Sequence, residues 1–400
     1  MGPQTGDLAF LGKPSLQACQ MAVDDFNNKN GGVNGVKVTL VAEDDQGKPD
    51  QAQNLAKAIT SDPTFLGVVG PMTSGAVLAI APTLDAAGVG FVSQSASNVK
   101  ITESGWKVAH RVVARDDEQG SADATFLAGA PVNAKNVYVV DSREPYSIGV
   151  ADEFEKTAKS LGITTERDGI DMGGKDYSAI VTKVKAANPD MMFFPNQGPE
   201  CPLIEQEMQK QGVKFKLMST DGCHDKDQFI TKAQGAANGN FVSDIGATYD
   251  STDAGKAWGA QFKQRFNADP TVFTSYAYDA TNVILNAIAA AAKTKGGLNL
   301  TPADVNTAIG ATSGYKGLLG DISFNSKGDI TAPVVSIFQV ANNDFTLLKT
   351  IQAQAPSSST AASAAGSAAA KPSASVAVGT SAGASTAASA GSAAPKPSAS

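Results

Sequence analysis

Short apolar runs alternate with longer amphipathic segments along residues 1–354. The apolar runs predict strands at residues 36–42, 65–69, 90–93, 137–140, 191–194, 215–218 and 240–243. The amphipathic segments between them predict helices, among them residues 16–26, 49–59, 146–162, 177–187 and 199–212. Strands that alternate with helices of this length are typical of parallel sheets covered on both faces, and their number predicts two such sheets.

Residues 355–400 have a different composition, almost entirely Ala, Ser, Gly, Thr and Pro, and they repeat themselves. The sequence AAAKPSAS at 368–375 returns as AAPKPSAS at 393–400. Because this segment has too few large apolar side chains to form a core, it is predicted to be a disordered tail. It is either an inert tail or a spacer, such as an O-glycosylated stalk.

Charge and hydrophobicity narrow the range of possible functions. The net charge of −7 disfavours a nucleic-acid-binding surface and an anionic-membrane partner. The hydrophobic fraction of 42% is typical of a soluble globular protein. No run approaches the ~20 apolar residues needed to span a bilayer.

The turns that follow the predicted strands carry the candidate binding chemistry, because ligands of open parallel sheets bind at the carboxyl ends of the strands. These turns read GPMTSG at 70–75, SQSAS at 93–97, DSREPY at 141–146, PNQG at 195–198 and STDGC at 219–223. Hydroxyls and main-chain N–H groups suit a carboxylate, and Asp221 suits an ammonium. Together they predict a site for a small zwitterion such as an α-amino acid.

Two alternatives weaken this interpretation when each residue is taken alone. Ser74 could simply cap the helix that follows it. Asp221 could be a solvated loop carboxylate or another helix cap.

No catalytic constellation is recognisable, so we expect no enzyme, metal or cofactor. His110 and His224 are the only histidines, and neither has the spacing of zinc ligands. GTSAG at 379–383 matches a nucleophile motif but lies in the low-complexity tail. GIDMGGKD at 169–176 approaches a phosphate-binding loop, yet it has Asp176 where Ser or Thr is required.

Several longer motifs together resemble a known family over residues 2–348. They are TGDLAFLG at 5–12, NNKNGGVNGVKVTLVAEDDQGKPDQA at 27–52, GPMTSG at 70–75, GKDYSAIVTKVKAANPD at 174–190, SYAYDA at 275–280 and GDISFNSKGD at 320–329. The chain resembles the periplasmic branched-chain amino-acid-binding proteins of the leucine/isoleucine/valine type, the substrate-binding components of ABC importers.

The resemblance implies an α/β fold of the two-lobed type I periplasmic binding protein class. Each lobe would contain a mostly parallel sheet covered by helices. The N-terminal lobe would comprise residues 1–116 with 247–325, and the C-terminal lobe residues 117–246 with 326–354. Three hinge crossings, near 114–118, 244–249 and 322–331, would let the lobes close on the ligand.

The resemblance also assigns roles at the charged ends of an amino-acid ligand. Ser74 would bind the carboxylate through its hydroxyl. Ser95 would offer a main-chain carbonyl to the ammonium, and Ser97 its hydroxyl and N–H. Asp221 would pair with the ammonium, and Tyr146 would lie against the ligand backbone.

Further positions would surround the ligand side chain. Leu11 would line this pocket, while Gln197 and Thr271 stand where the family has aromatic rings. That difference implies a more polar pocket.

The cysteines also differ from the family. Its cysteine pair is absent, and Cys201 and Cys223 are the disulfide candidates in its place, compatible with an oxidising compartment. Cys19 is expected to be a buried free thiol.

The start of the chain differs as well, because the family has an apolar strand before TGDLAFLG and only four residues precede that motif here. We expect the predicted strands at 36–42 and 65–69 to share a sheet with a slot or distorted pairing between them. An upstream start or a trimmed chain would account for this.

The resemblance predicts an extracytoplasmic protein, although no signal peptide is visible, and we expect a monomer. Its partners would be a small amino-acid ligand and the membrane permease of an ABC importer. The alternative function is a ligand-binding sensor module of the same fold for another small polar molecule.

Overall fold

The computed structural model describes residues 1–353, which form two main β-sheets with helices packed against them. The strands are β1 (Val68–Val69), β2 (Phe91–Ser93), β3 (Ala109–Arg111), β4 (Asn136–Asp141), β5 (Thr164–Gly169), β6 (Met191–Phe194), β7 (Lys216–Ser219), β8 (Phe241–Asp244), β9 (Tyr315–Lys316), β10 (Asp321–Ile322), β11 (Val334–Ala341) and β12 (Asp344–Gln352). The α-helices are α1 (Ala9–Asn30), α2 (Pro49–Ser61), α3 (Ser74–Ala87), α4 (Lys100–Glu103), α5 (Asp116–Ala128), α6 (Pro145–Ser160), α7 (Ser178–Ala187), α8 (Glu200–Lys210), α9 (Asp253–Phe266), α10 (Thr274–Lys295) and α11 (Pro302–Gly310).

The first sheet contains β1, β2 and β3, all parallel. The second has the order β12-β11-β8-β7-β6-β4-β5. Its strands from β4 to β8 are parallel, and β11 and β12 add an antiparallel edge. A small antiparallel pair, β9 with β10, lies apart from both. This is the α/β architecture with mostly parallel sheets that the sequence predicts.

The central strand β6 illustrates why these residues form a covered sheet. All four of its side chains, from Met191 to Phe194, are buried, and they alternate between two different core clusters. Phe193 stacks on Phe154 of α6 with ring centroids 3.9 Å apart. A continuous apolar run is what a parallel strand covered on both faces requires.

The chain passes between the two sheets three times, after β3, after β8 and after β10. The first and third passages are joined by a buried ion-pair network around Asp329. Its carboxylate accepts from Arg111 at 2.8 Å and from Arg115 at 3.1 Å, and Thr102 donates to it at 2.9 Å. Separation of the two passages would leave buried charges without partners, which is energetically unfavourable. These ion pairs therefore stabilise the arrangement in which the passages lie side by side.

One predicted strand is wrong. Residues 36–42 form no strand and make only isolated bridges at their ends, Val33 with Val36 and Gly2 with Asp44. The physical reason is the lack of a ladder partner, since a cavity of about 630 Å³ separates this segment from residues 64–69. The expected gap between the two segments is present, but the expectation that they share a sheet is wrong, since residues 36–42 form no strand.

The tail predicted at 355–400 lies outside the described residues. Within residues 1–353, no helix is both long enough and apolar enough to cross a membrane.

Candidate functional site

A small site lies where the turns after β1, β2, β6 and β7 meet. Its cavity has a volume of about 20 Å³, the space of about one water molecule. It is lined by Pro3, Leu8, Leu11, Met72, Thr73, Ser74, Ser95, Tyr146, Gln197, Asp221 and Phe273. Six of the eight ligand-binding residues predicted from the sequence are in this lining, and Ser97 and Thr271 are not.

Ser74 is the first residue of α3 and is almost fully buried. Its hydroxyl accepts a hydrogen bond from the Asn98 N–H at 3.2 Å. The helix is capped by Thr73, whose hydroxyl accepts from the Ala76 N–H at 3.3 Å, so capping by Ser74 itself is not observed. A helix start of this kind offers open N–H donors and a partial positive charge, which together attract an anion.

Asp221 provides the opposite charge. It begins a short 3₁₀ turn after β7, and its Oδ1 accepts hydrogen bonds from the Tyr146 hydroxyl and the Gln119 amide, each at 2.6 Å. Tyr146 also contacts the Thr220 hydroxyl at 2.7 Å. Burial, with a contribution from Asp244, raises the pKa of Asp221 to about 7.

Further buried acids lie around this carboxyl. Asp244 accepts from His224 at 3.1 Å, and Asp123 accepts from the Ser243 hydroxyl at 3.0 Å. Burial raises the pKa of both carboxyl groups. Because each of these acids ionises more readily beside a positive charge, this end of the cavity favours a cation over a second anion.

Gln119 was missed by the sequence reasoning. It lies inside α5 rather than in a turn, and its amide donates to Ser243 at 3.1 Å as well as to Asp221. Its Oε1 atom is buried without a hydrogen-bond partner in the described chain. A search confined to the turns after strands could not find it.

Ser95 and Ser97 have different surroundings. The Ser95 hydroxyl donates to the Met72 carbonyl at 2.7 Å, which leaves its main-chain carbonyl as the group available to a ligand. Ser97 lies outside the cavity, fully buried, and its carbonyl accepts from the Asp116 N–H at 3.0 Å.

The remaining predicted residues concern the side-chain pocket. Leu11 is buried in α1 and lines the cavity, and the half-buried Gln197 donates to Glu144 at 3.0 Å. Thr271 does not line the cavity, because it bonds with Thr274 ahead of α10. Phe273, two residues later, supplies an aromatic wall instead. Leu8 and Met72 also contribute apolar surface to the lining.

A disulfide joins Cys201, at the start of α8, to Cys223, in the 3₁₀ turn that begins with Asp221. Both sulfur atoms are buried. The bridge therefore fastens the start of α8, which follows the turn that carries Gln197, to the turn that carries Asp221. Cys19 is a buried free cysteine, as predicted.

Comparison with known proteins identifies the family. The model of the periplasmic binding protein family matches residues 1–344. The chain belongs to this family. It is 30% identical over 331 residues to the Leu/Ile/Val-binding protein homolog 2 of Brucella abortus, a match that covers 82% of this chain and 85% of the relative.

Solved structures agree with this membership. A leucine-binding protein from Thermotoga maritima superposes with a TM-score of 0.79 at 25% identity, covering 88% of this chain and 97% of the other. A solute-binding protein from Rhodopseudomonas palustris in complex with benzoate gives a TM-score of 0.78 at 16% identity, covering 88% and 96%. The type I periplasmic binding protein fold is thus shared by proteins with different ligands, and this periplasmic binding protein is a solute-binding protein rather than an enzyme.

Proposed function

We propose that this protein captures an α-amino acid, branched-chain or closely related, between its two lobes and delivers it to the permease of an ABC importer. One observation carries this proposal. An anion-attracting helix start at Ser74 and a buried acid at Asp221 line the same small cavity. An α-amino acid is a common solute with a charge suited to each end of the cavity, a carboxylate for Ser74 and an ammonium for Asp221.

The carboxylate end would lie at α3. Ser74 can donate its hydroxyl to a ligand oxygen while it still accepts from the Asn98 N–H. The N–H groups of Ser74 and Gly75 make no hydrogen bond within the described chain, so they remain available as donors. Hydrogen bonds to a charged acceptor of this kind are the stronger class.

The ammonium end would lie at Asp221. Tyr146 and Gln119 occupy only Oδ1 of this carboxylate, so Oδ2 is left for the ligand. The Ser95 carbonyl provides a second acceptor beside the same cavity. A benzoate-like acid has no ammonium and would leave the buried carboxyl without a partner.

An aliphatic side chain suits the remaining surface. Leu8, Leu11, Met72 and Phe273 supply apolar contacts, and burial of an apolar side chain against them stabilises the complex by ~25 cal/mol per Å². Gln197 adds one amide, which could accommodate an amino acid slightly more polar than leucine.

Location outside the cytoplasm is supported by the family and by the disulfide. Disulfides such as Cys201–Cys223 persist in oxidising compartments. The family relationship likewise supports a membrane permease as the partner.

Titration calorimetry against the twenty amino acids, their amides and aromatic acids tests the proposal. We expect saturable binding of at least one aliphatic amino acid and none of benzoate. Ser74→Ala should weaken binding by ~1.5–3 kcal/mol through loss of a charged hydrogen bond. Asp221→Ala should weaken it by ~2–5 kcal/mol, because the ammonium then has no partner.

Matched controls are available on the surface. Ser160→Ala removes an exposed hydroxyl that bonds only to Thr157, and Asp253→Ala removes a fully exposed carboxylate. Neither should change affinity. Equal affinity of the Ser74 and Asp221 variants and the parent would show that the zwitterion assignment is wrong.

A further inference from the structure

Asn98 links the two ends of the ligand site, although it does not line the cavity itself. It lies between β2 and α4 and is buried. Its main-chain N–H donates to the Ser74 hydroxyl, at the carboxylate end. Its side-chain amide donates to the carbonyl of Pro145, the first residue of α6, at 2.7 Å. The next residue, Tyr146, donates to Asp221 at the ammonium end.

The amide of Asn98 is held in one orientation. Its Oδ1 accepts from the Lys100 N–H at 3.0 Å. Its Nδ2 donates to the Pro145 carbonyl and also to Asp116 Oδ2, at 3.1 Å. Because the Lys100 N–H needs an acceptor, the amide oxygen faces Lys100 and the NH₂ group faces α6. Both hydrogens of the amide are then in use.

The bond from Asn98 to Pro145 lies apart from the three passages between the sheets. Taken with the first residue of α5, the passages are residues 112–116, 245–252 and 323–333. Within residues 1–353, no other hydrogen bond or ion pair directly joins the first-sheet side of these passages to the second-sheet side. A rotation about the passages that widens the cleft would therefore break this bond.

Gly149, in the interior of α6, makes room for this contact. A Cβ atom at this position would lie 2.1 Å from Asp116 Oδ2 and 2.9 Å from Asn98 Nδ2. Glycine inside a helix is less favourable than alanine, because it loses more conformational freedom on folding. At this position only glycine permits such a close approach of α6 to the two side chains.

The main-chain bond of Asn98 affects the role of Ser74. The Asn98 N–H occupies an acceptor position of the Ser74 oxygen, so the hydroxyl hydrogen remains for a ligand oxygen. One residue therefore holds both the group expected to bind a carboxylate and the start of a helix on the opposite side of the cleft. Widening of the cleft would remove one of the bonds that hold Asn98 beside Ser74.

We propose that Asn98 is a positioning residue that stabilises the closed cleft, with or without a solute, and couples closure to the carboxylate end of the site. The coupling to a carboxylate rests on the proposed function. The bond to Pro145 belongs to the chain itself, so its contribution to closure can be measured without any solute.

Asn98→Asp separates the bond to Pro145 from the other contacts. The new side chain keeps an oxygen for the Lys100 N–H, but a carboxylate oxygen cannot donate to the Pro145 carbonyl. Asn240→Asp is the matched control, since it makes the same replacement at a buried amide that donates to Glu205 within the second-sheet side. It should destabilise the fold without any effect on closure.

Gly149→Ala tests the same bond without a change at Asn98, because its methyl group would displace α6. Gly310→Ala, at the exposed end of α11, is its control, since the nearest atom to an added Cβ lies at 3.5 Å, an ordinary contact. The effects of Asn98→Asp and Gly149→Ala on closure should be much less than additive, because both remove one bond.

Double electron–electron resonance between nitroxide labels on the two sides of the cleft measures closure. The labels are attached at Lys57→Cys in α2 and Lys159→Cys in α6, both exposed positions, in a Cys19→Ala background. In solute-free protein, each of the two test variants should lower the ratio of the short-distance to the long-distance population about fivefold. The two controls should leave this ratio unchanged.

Stopped-flow measurement with leucine tests the coupling. Both test variants should release leucine about fivefold faster than the parent. Distance distributions that are the same in the parent and the test variants overturn the proposal, as does an equal shift in the controls. Unchanged release of bound leucine overturns the coupling. A distance shift in the test variants of a protein that binds no amino acid supports the role of Asn98 in closure and refutes the proposed function instead.

Discussion

Asp221 is held by neutral hydrogen-bond donors in a buried, acidic environment. Tyr146 and Gln119 satisfy one of its oxygens, and no Lys or Arg side chain pairs with it in the described chain. Its pKa is therefore raised from 3.8 to about 7 by burial. Ionisation of this group opposes folding at neutral pH.

The sign of the effect on stability follows from proton binding. Between pH 4 and 7 the folded state holds a proton on Asp221 that the unfolded state has lost, so the free energy of unfolding falls as pH rises through this window. Asp221→Asn keeps an acceptor for Tyr146 and Gln119 but removes the charge. Relative to the parent, it should gain ~2–4 kcal/mol of stability between pH 4 and pH 8.

Urea unfolding of both proteins at the two pH values measures this gain. Asp253→Asn, at a fully exposed carboxylate, serves as the control and should give a difference near zero at each pH. A constant difference between Asp221→Asn and the parent across the range would contradict the raised pKa.

Among individual site residues, the sequence could predict those that follow strands, but few others. Ser74 and Ser95 follow neighbouring strands of the first sheet and Asp221 follows a strand of the second, and all three line one cavity at the carboxyl ends of their strands. Gln119 contacts Asp221 from the interior of a helix, where its spacing resembles any other partly polar helix face. Phe273 and Thr271 differ by two positions, and only the local turn before α10 decides which one lines the site.

Among elements, the disulfide has the clearest energetic role. It closes a loop of 22 residues between α8 and the turn that begins with Asp221. Loss of the bridge in a Cys201→Ser, Cys223→Ser double variant should lower the free energy of unfolding by ~3 kcal/mol, because the unfolded chain regains the freedom of that loop.

Chemical denaturation of the double variant tests this value. Addition of a reducing agent should destabilise the parent to the level of the double variant and leave the variant itself unchanged. Cys19→Ala retains the bridge and should keep its response to the reductant. If the free energy of unfolding of the parent stayed the same after both cysteines had been fully reduced to thiols, the prediction would be contradicted.

Strands were predictable where burial on both faces makes the sequence apolar throughout. Residues 191–194 were predicted as β6 for this reason. Residues 36–42 have a similar pattern, yet they form no strand because strand formation needs a hydrogen-bonded neighbour as well as an apolar sequence. The edge strand β12 was missed, since its mostly exposed side chains give no apolar run.

At the scale of the whole molecule, the candidate site is narrow. A cavity of about 20 Å³ is smaller than an amino acid, so under the proposed function we expect the lobes to separate before a solute enters. The three passages between the sheets, two of them joined through Asp329, would provide the axis for such a movement. Contacts from both lobes to the solute would favour the closed form.

Small-angle scattering should detect this equilibrium. Addition of a saturating aliphatic amino acid should reduce the radius of gyration of the parent. At the same amino-acid concentration, which should lie below the Kd of the Asp221→Ala variant, that variant should keep the larger radius of gyration. Tight binding by the parent without any change in radius would contradict closure by hinge bending.

The proton on Asp221 also links solute capture to the acidity of the surroundings. Slightly below neutrality the empty site is protonated, and an incoming ammonium favours the carboxylate form. With an amino acid as the proposed ligand, each capture would expel up to one proton into the medium and each release would take one back. Acidic medium would then favour unloading and alkaline medium would favour loading, and the heat of binding would include the ionisation heat of the buffer that receives the proton.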